Sequence, residues 1–548
     1  MSYTAPIAEQ RFVLDHVARI AELGVDADTL DAVLEGAAQL ASREWAPLSH
    51  AGDTIGPQLI GADVVMPEGY RAAYKAFVDG GWGTIGAPAG AGGQGLPFVV
   101  QAAVLETLGS ANMGFALAPI LTIGAVEALQ HHGSPTQKAA YLPKLVTGEW
   151  TGTMNLTEPQ AGSDVGALRC TATLADDGMW RVKGTKIFIS FGDHDLTENI
   201  IHLVLARTPN APEGTKGISL FLVPKVRPNG TRNDVRTVSI EHKLGLHASP
   251  TCVLSFGDHD DCTGELIGPE GGGMRAMFTM MNNARLNVGL QGVQVAEAAT
   301  QKAAAYARER MQGVRTGAPS AIIEHPDVRR MLMRMRAQTD AARALVYYAC
   351  AQVERAKHDA DAHDRLEIMI PLAKAHATDL GNEVASLGVQ VHGGMGFIEE
   401  TGAARFFRDA RITPIYEGTN GIQAADLVGR KLALSNGAAF EKLIVDMRNG
   451  AHHPALGKLI ALCEAVGHRL QDANPDDRLA ASYPFLTMLS VATSGWLLSR
   501  EAASHSASAT KKALVDFYLD QLVPEALGLE AAASAPAAQL YEISAAQL

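Results

Sequence analysis

Cysteine is scarce in this chain of 548 residues. The five present, Cys170, Cys252, Cys262, Cys350 and Cys463, are odd in number, far apart and never paired as C-x-x-C, so neither a disulfide framework nor a cysteine zinc site is implied. Positive charge is short as well: 46 Lys and Arg stand against 59 Asp and Glu, a formal charge of -13 with a pI near 5.8. A protein that grips a phosphate backbone needs clustered Lys and Arg, so nucleic acid is not an expected partner. The opening "MSYTAPIAEQRFVLDHVARI" lacks the basic region and apolar block of an export signal, and no uncharged apolar run reads as long enough to cross a membrane. These absences predict a cytoplasmic protein with no membrane partner.

What is present is core-forming material. A hydrophobic fraction of 47% and a charged fraction of 19% describe an ordered globular protein, and the length divides into several compact units. Apolar residues recur at helical spacing through "FVLDHVARIAEL", "LDAVLEGAAQLAS" and "LPFVVQAAVLETLGSA", predicting a helical domain over 1–150. From "TGTMNLTEP" the grain changes to short β-branched runs such as "IIHLVLART" and "GISLFLVPKV", predicting a compact β-barrel or sandwich over 151–267. Long helical segments return after "GPEGGGM" and predict an antiparallel four-helix bundle over 268–436. Further helical pattern over 437–548 predicts an added helical extension with a lightly packed Ala-rich end. The fold class is thus α+β and multidomain.

Two patterns imitate sites. Gly90, Gly92 and Gly95 in "GAGGQG" match a dinucleotide fingerprint literally, but no β-branched strand leads into them and Pro97 follows, so a glycine turn is expected. The hexapeptide "SFGDHD" occurs at Ser190–Asp195 and again at Ser255–Asp260; neither copy holds a closed ligand set, and strand-end turns account for both. No metal site is predicted.

One segment resists a bland reading. In "RDARITPIYEGTNGIQ", Glu417 closes the run Ile412-Thr413-Pro414-Ile415-Tyr416 with no basic residue beside it. A carboxylate placed in apolar surroundings has its pKa raised, the usual preparation of a general base. Four more segments precede it: "MNLTEPQAGSDVG", "VKGTKIFISFG", "YARERMQG" with the later "EHP", and "LGVQVHGGMGF". In this order, over residues 154 to 423, the five resemble the acyl-CoA dehydrogenase family of flavoproteins, whose helix, β, helix architecture also matches.

The resemblance implies FAD as cofactor and an acyl-CoA thioester as substrate. Glu417 would take the proton from Cα while a hydride leaves Cβ for the flavin, giving a trans-2-enoyl-CoA. Thr157, Ser163 and Ser190 would contact the isoalloxazine ring, with Phe188 where many members carry Trp. Arg310, His325, Gln390, Gly393 and Gly394 match positions that hold the pyrophosphate and adenine, mostly across a subunit interface, and Thr419 resembles a second clamp on the cofactor. A homodimer is therefore expected, with an electron-transferring flavoprotein as acceptor. Ser163, Asn282, Arg285 and Gly418 are the substrate-binding candidates. Phe191 stands where Asn is common, "RMQG" is a residue shorter than the frequent pattern, and Asn282 replaces a usual acidic residue, so Arg285 is the better channel candidate.

The extension resembles that of a bacterial subgroup that includes 3-methylmercaptopropionyl-CoA dehydrogenases of dimethylsulfoniopropionate breakdown. Straight-chain acyl-CoA dehydrogenation and acyl-CoA oxidase activity are the enzyme alternatives. A DNA-associated flavoprotein of the alkylation response is a remote third, disfavoured by the acidic tail. Met277, Met280 and Met281 are read as core rather than as a thioether pocket.

Overall fold

A computed structural model describes residues 3–548. Seven helices build the first region: α1 Ile7–Val13, α2 Ala27–Leu40, α3 Ser49–Thr54, α4 Tyr70–Asp79, α5 Phe98–Ala111, α6 Met113–His132 and α7 Pro135–Thr147. Every residue of α5 is buried, which explains why its sequence is apolar on all sides rather than along one stripe. The helix α6 is long and apolar enough to cross a membrane, contrary to the expectation that no such run exists. Here 83% of its apolar window is packed inside the protein, where it serves as a core helix. The region also contains a small hairpin, β1 Gln58–Ile60 with β2 Asp63–Val65, which helical periodicity did not reveal.

The β unit comprises β3 Thr151–Asn155, β4 Thr171–Leu174, β5 Trp180–Ser190, β6 Ile200–Arg207, β7 Ile218–Pro224, β8 Val235–Ile240, β9 Thr251–Phe256 and β10 Thr263–Ile267. Their order is β10-β7-β6-β4-β5-β9-β8, with β3 parallel to β6. Because β10 pairs with both β7 and β5, the sheet closes on itself as a barrel. The strands β6 and β7 are buried almost throughout and read accordingly as continuous apolar runs.

Three long helices follow: α8 Gly273–Glu309, α9 Pro326–Arg355 and α10 Ala360–His392. A hairpin, β11 Met311–Arg315 with β12 Ala318–Ala321, sits between the first two and was not foreseen. Consecutive helices alternate in direction, so α8 and α10 run parallel and in direct contact. A Cβ on Gly289 would lie 2.8 Å from the Ala373 carbonyl oxygen, and one on Gly292 would lie 2.1 Å from that of Ala377. Farther along, the Tyr306 and His392 rings stack with centroids 4.4 Å apart. Backbone meets backbone along this seam because glycine leaves room for it.

The remainder is α11 Ala403–Ala410, α12 Asn420–Gly429, α13 Ala438–Gly450, α14 Pro454–Asp472, α15 Pro475–Ala480, α16 Ser482–Ala503, α17 Ala509–Phe517 and α18 Val523–Leu527. The extension is joined to the bundle core through α16, which packs against α9, α10 and α12. At the Ala-rich end, Ala533 and Ala537 are buried while Leu540, Tyr541 and Leu548 are exposed.

Candidate active site

Residues 412–419 form a turn that precedes α12. Ile415 N–H donates to the Ile412 oxygen at 2.8 Å, Tyr416 N–H to the same oxygen at 3.2 Å, and Asn420 N–H to the Pro414 oxygen at 2.9 Å. Among the described residues the N–H of Glu417 has no backbone acceptor, which leaves it free to donate to a ligand. Glu417 itself sits at φ +54°, a left-handed conformation rare for a residue with a Cβ, followed by Gly418 at φ +84°. Strain of this kind costs roughly 1–3 kcal/mol and survives only where the surroundings enforce it.

The Glu417 side chain lines a cavity of about 40 Å³ with Ser190 from the end of β5, Met154 from β3, Leu121 from α6, and Val288 from α8. Burial raises its pKa; Arg285 and Lys374 oppose that shift without cancelling it. The carboxylate is thus not free of cations, as the local sequence led one to expect. The two basic residues reach it from α8 and α10. Tyr416 fixes the turn from the other side by donating to Gln291 Oε1.

Asn283 links this cavity to a chamber of about 490 Å³ that also includes Thr122, Glu127, Thr279, Asn282 and Glu367. Glu127 accepts from Asn283, and burial pushes its carboxyl up to about 7. Arg285 is buried, 4.0 Å from Asp426, and its Nε has no hydrogen-bond partner among the described residues. Asn282 approaches Glu367 at 3.5 Å, the outer limit of a hydrogen bond. Met277 and Met280 are fully buried in the core.

The segment "TEPQAGSDVG" is anchored from beneath. Lys186 and Glu158, both buried, form an ion pair at 2.8 Å, and Lys186 also donates to the Leu156 oxygen at 2.9 Å. The Glu158 carboxylate further accepts the N–H groups of Arg169 at 2.6 Å and Cys170 at 3.1 Å. Burial raises Glu158, but Lys186 and these donors outweigh it and hold the pKa at about 2. Since the folded value lies below the unfolded one, the pair's contribution is present above about pH 4.5 and fades as the pH falls toward 2. The variant Glu158→Gln is therefore expected to unfold roughly 3 kcal/mol more easily near neutrality. Urea titrations at several pH values would check this, and a gap that failed to narrow below pH 4 would count against it.

Above this anchor, Thr157 is half-buried and Ser163 exposed. A register shift in the β5–β9 pairing turns Phe188 outward at φ +61° and 59% exposure, while Phe191 points inward against His194. Thr419 caps α12 by accepting the Ile422 N–H at 3.1 Å, so its hydroxyl has a local structural duty. The hexapeptide copies differ: Asp193 is buried and bound to Lys225 at 2.5 Å, whereas His259 in the second copy is exposed. The first is a buried polar hub rather than a plain strand-end turn.

Arg310, His325, Gln390, Gly393 and Gly394 gather elsewhere, at the shared C-terminal end of α8 and α10 and the adjoining hairpin. His325 bonds the Gln312 oxygen at 2.7 Å. Arg310 and Gln390 are exposed. Among the described residues Gly394 has nothing within 4 Å of where a Cβ would stand, and its backbone is ordinary, so their packing does not require glycine there; a ligand's close approach would. An Arg, an amide and an open glycine cradle fit a pyrophosphate. From Gln291 to Arg310, however, α8 rises roughly 30 Å, too far for one dinucleotide to meet this cluster and the Glu417 cavity of the same chain.

Four family models match in order: "Acyl-CoA dehydrogenase, N-terminal domain" over residues 28–149, "middle domain" over 153–259, "C-terminal domain" over 271–432, and "Acetyl-CoA dehydrogenase C-terminal like" over 450–544. The chain is 46% identical to 3-methylmercaptopropionyl-CoA dehydrogenase of Ruegeria pomeroyi over 94% of both chains. It is 38% identical to a butyryl-CoA dehydrogenase of Syntrophomonas wolfei over 77% of this chain and 73% of that one. The structure of Caenorhabditis elegans ACDH-11 in complex with C11-CoA superposes with a TM-score of 0.80 at 21% identity, covering 95% of this chain and 92% of that one.

Proposed function

This chain belongs to the acyl-CoA dehydrogenase family, and from that membership we propose that it oxidises 3-methylmercaptopropionyl-CoA with Glu417 as the base. As a member it is an FAD-dependent oxidoreductase that introduces an α,β double bond into an acyl-CoA thioester. The single observation that carries the choice of substrate is the 46% identity, which runs through the extension as well as the three family domains.

Bound FAD supplies the hydride acceptor. Thr157, Ser163, Phe188 and Ser190 are proposed to face its ring, and Arg310, His325, Gln390, Gly393 and Gly394 its pyrophosphate and adenine. The separation of these two groups along α8 supports a cofactor held between two copies of the chain, and hence a homodimer. Thr419 caps α12 by accepting the Ile422 N–H, and its hydroxyl hydrogen is left to serve as the proposed second clamp on the cofactor.

Glu417 removes the proton from Cα. Its raised pKa makes it a stronger base than an exposed carboxylate, and the unused N–H of the same residue can donate to the thioester oxygen as negative charge develops there. A donor so placed is worth roughly 3–4 kcal/mol. The apolar walls provided by Leu121, Met154 and Val288 exclude water from the proton in transit. Arg285 and Asn282 are assigned to the channel leading to the cavity, with Gly418 giving the backbone its turn. An electron-transferring flavoprotein is the proposed acceptor, and the cytoplasm the proposed compartment.

The test is anaerobic bleaching of the flavin's visible absorbance by 3-methylmercaptopropionyl-CoA beside butyryl-, octanoyl- and palmitoyl-CoA. Bleaching by the sulfur substrate at least as fast as by the others supports the proposal. Bleaching by a straight chain alone discards that substrate while keeping the reaction, and oxygen uptake coupled to turnover would move the enzyme to the oxidases.

A further inference from the structure

The helical extension reaches the turn that carries Glu417. Asn420, the first residue of α12 and almost wholly buried, stands three residues after Glu417. Its Oδ1 accepts from Lys374 Nζ at 2.8 Å. The two hydrogens of its Nδ2 are shared among Asp379 Oδ1 at 2.8 Å, Thr378 Oγ1 at 2.9 Å and the Ala375 oxygen at 3.1 Å. The other oxygen of that Asp379 carboxylate accepts the hydroxyl of Tyr483 at 2.6 Å, and Tyr483 is the second residue of α16 in the extension. A continuous path of hydrogen bonds therefore runs from the extension through Asp379 and Asn420 to the base of the turn.

The turn requires such backing. Glu417 is in a left-handed conformation next to Gly418, which takes its positive φ freely, and a strained residue of this kind keeps one geometry only if both flanks are held. Upstream, Tyr416 is tied to Gln291 on α8. Downstream, Asn420 is the tie, and Asn420 is oriented by a cation on one side and a carboxylate on the other.

We propose that Tyr483 is a positioning residue for Glu417, acting through Asp379 and Asn420, so that the extension takes part in setting the geometry and proton affinity of the base. The inference rests on the reading of Glu417 as that base.

The electrostatics give the sign. Glu417 is faced by Arg285 from α8 and Lys374 from α10; Asp379 is faced by Lys374 on its own helix, Arg411 beyond α11, and Tyr483 from α16. Burial raises Asp379, and the Tyr483 hydroxyl, Asn420 and Lys374 oppose it. Burial lowers Lys374 to about 8 despite Asp379 and Glu417. Without the Tyr483 hydroxyl, Asp379 protonates more readily, Lys374 keeps less counter-charge and gives up its proton more easily, and its pull on the Glu417 carboxylate weakens. The half-point of the acid limb then moves upward.

The experiment compares kcat against pH for the full-length, FAD-loaded enzyme and its Tyr483→Phe, Asp379→Asn and Val523→Ala variants. Val523 is buried in the extension and belongs to no part of this path. Tyr483→Phe is expected to keep FAD and KM, lower kcat roughly fivefold, and raise the half-point by about half a pH unit. Asp379→Asn should move kcat and the half-point together, and Val523→Ala should lower the thermal midpoint alone. If Tyr483→Phe behaves like Val523→Ala, with an unmoved half-point, the proposal is overturned. A Glu417→Gln variant in the same assay separates the two readings: if it still turns over, the base assignment fails, whereas if it is dead and Tyr483→Phe is normal, only the role of the extension fails.

Discussion

Replacing Glu417 by glutamine should leave a folded, FAD-bound protein that still binds thioester and whose reductive half-reaction is slower by about four orders of magnitude. Glutamine keeps the size of the side chain and the backbone N–H, so the turn and any donation to the thioester oxygen are preserved, and only the proton acceptor is lost. Among the described residues nothing else that lines the cavity can take over. Ser190, Asn283, Asn287 and Gln291 are neutral, and burial together with the adjacent Glu417 raises the Tyr416 phenol far above neutrality. Stopped-flow mixing without oxygen measures the rate directly, and a residual rate within tenfold of the parent would exclude Glu417 as the base.

The largest effect on stability is expected from Arg343→Met. Arg343 lies fully buried on α9 and donates to Glu106 on α5 at 2.8 and 3.0 Å, to Glu297 on α8 at 2.6 Å, and to Asp340 at 3.3 Å. Tyr347 adds a donor to Glu106 at 2.7 Å, and Lys511 from α17 binds Asp340 at 2.9 Å and Glu9 on α1 at 2.7 Å. One guanidinium thus serves carboxylates of three helices inside the core. Methionine fills the volume but strands Glu106 and Glu297 without their shared cation, a loss of about 3–5 kcal/mol. Chemical denaturation at neutral pH reads it as a shift in midpoint, and an unchanged midpoint would show the network to be neutral on balance. The pH dependence has a definite sign. Burial raises Glu297, but Arg343 and Arg336 more than offset it and keep it below its ordinary value, so the native pairing is lost as the pH falls. In the variant, burial is less opposed and protonation relieves the stranded carboxylate, so the gap to the parent narrows toward acid pH.

Much of the architecture was legible because periodicity changes where the fold changes. Helical spacing before residue 150, β-branched runs to 267 and long helical runs afterwards correspond to bodies that bury different faces. The two small hairpins escaped for a physical reason. Each has strands of three to five residues in stretches with exposed or half-exposed positions, so little burial is imprinted on the sequence. In the site, Glu417 could be singled out because its apolar run is contiguous. Arg285 and Lys374 meet it only because α8 and α10 lie side by side. The one local sign was a lone Lys in the apolar stretch "IMIPLAKAHA". Thr419 shows how two duties can share one motif position: its hydroxyl oxygen accepts the Ile422 N–H as an N-cap, and its hydrogen stays available to a ligand. The repeated "SFGDHD" shows how far six identical residues fall short of specifying their surroundings. Lys225 stands ready to neutralise Asp193 in the interior, while the second copy meets solvent.

The glycine seam between α8 and α10 also has a mechanical meaning. Where two backbones touch without intervening side chains, the helices cannot slip past each other by a rotamer's worth, and the pair acts as a single stiff beam. Glu417 is braced near one point of that beam and the Arg310–Gly394 cluster is mounted at its end.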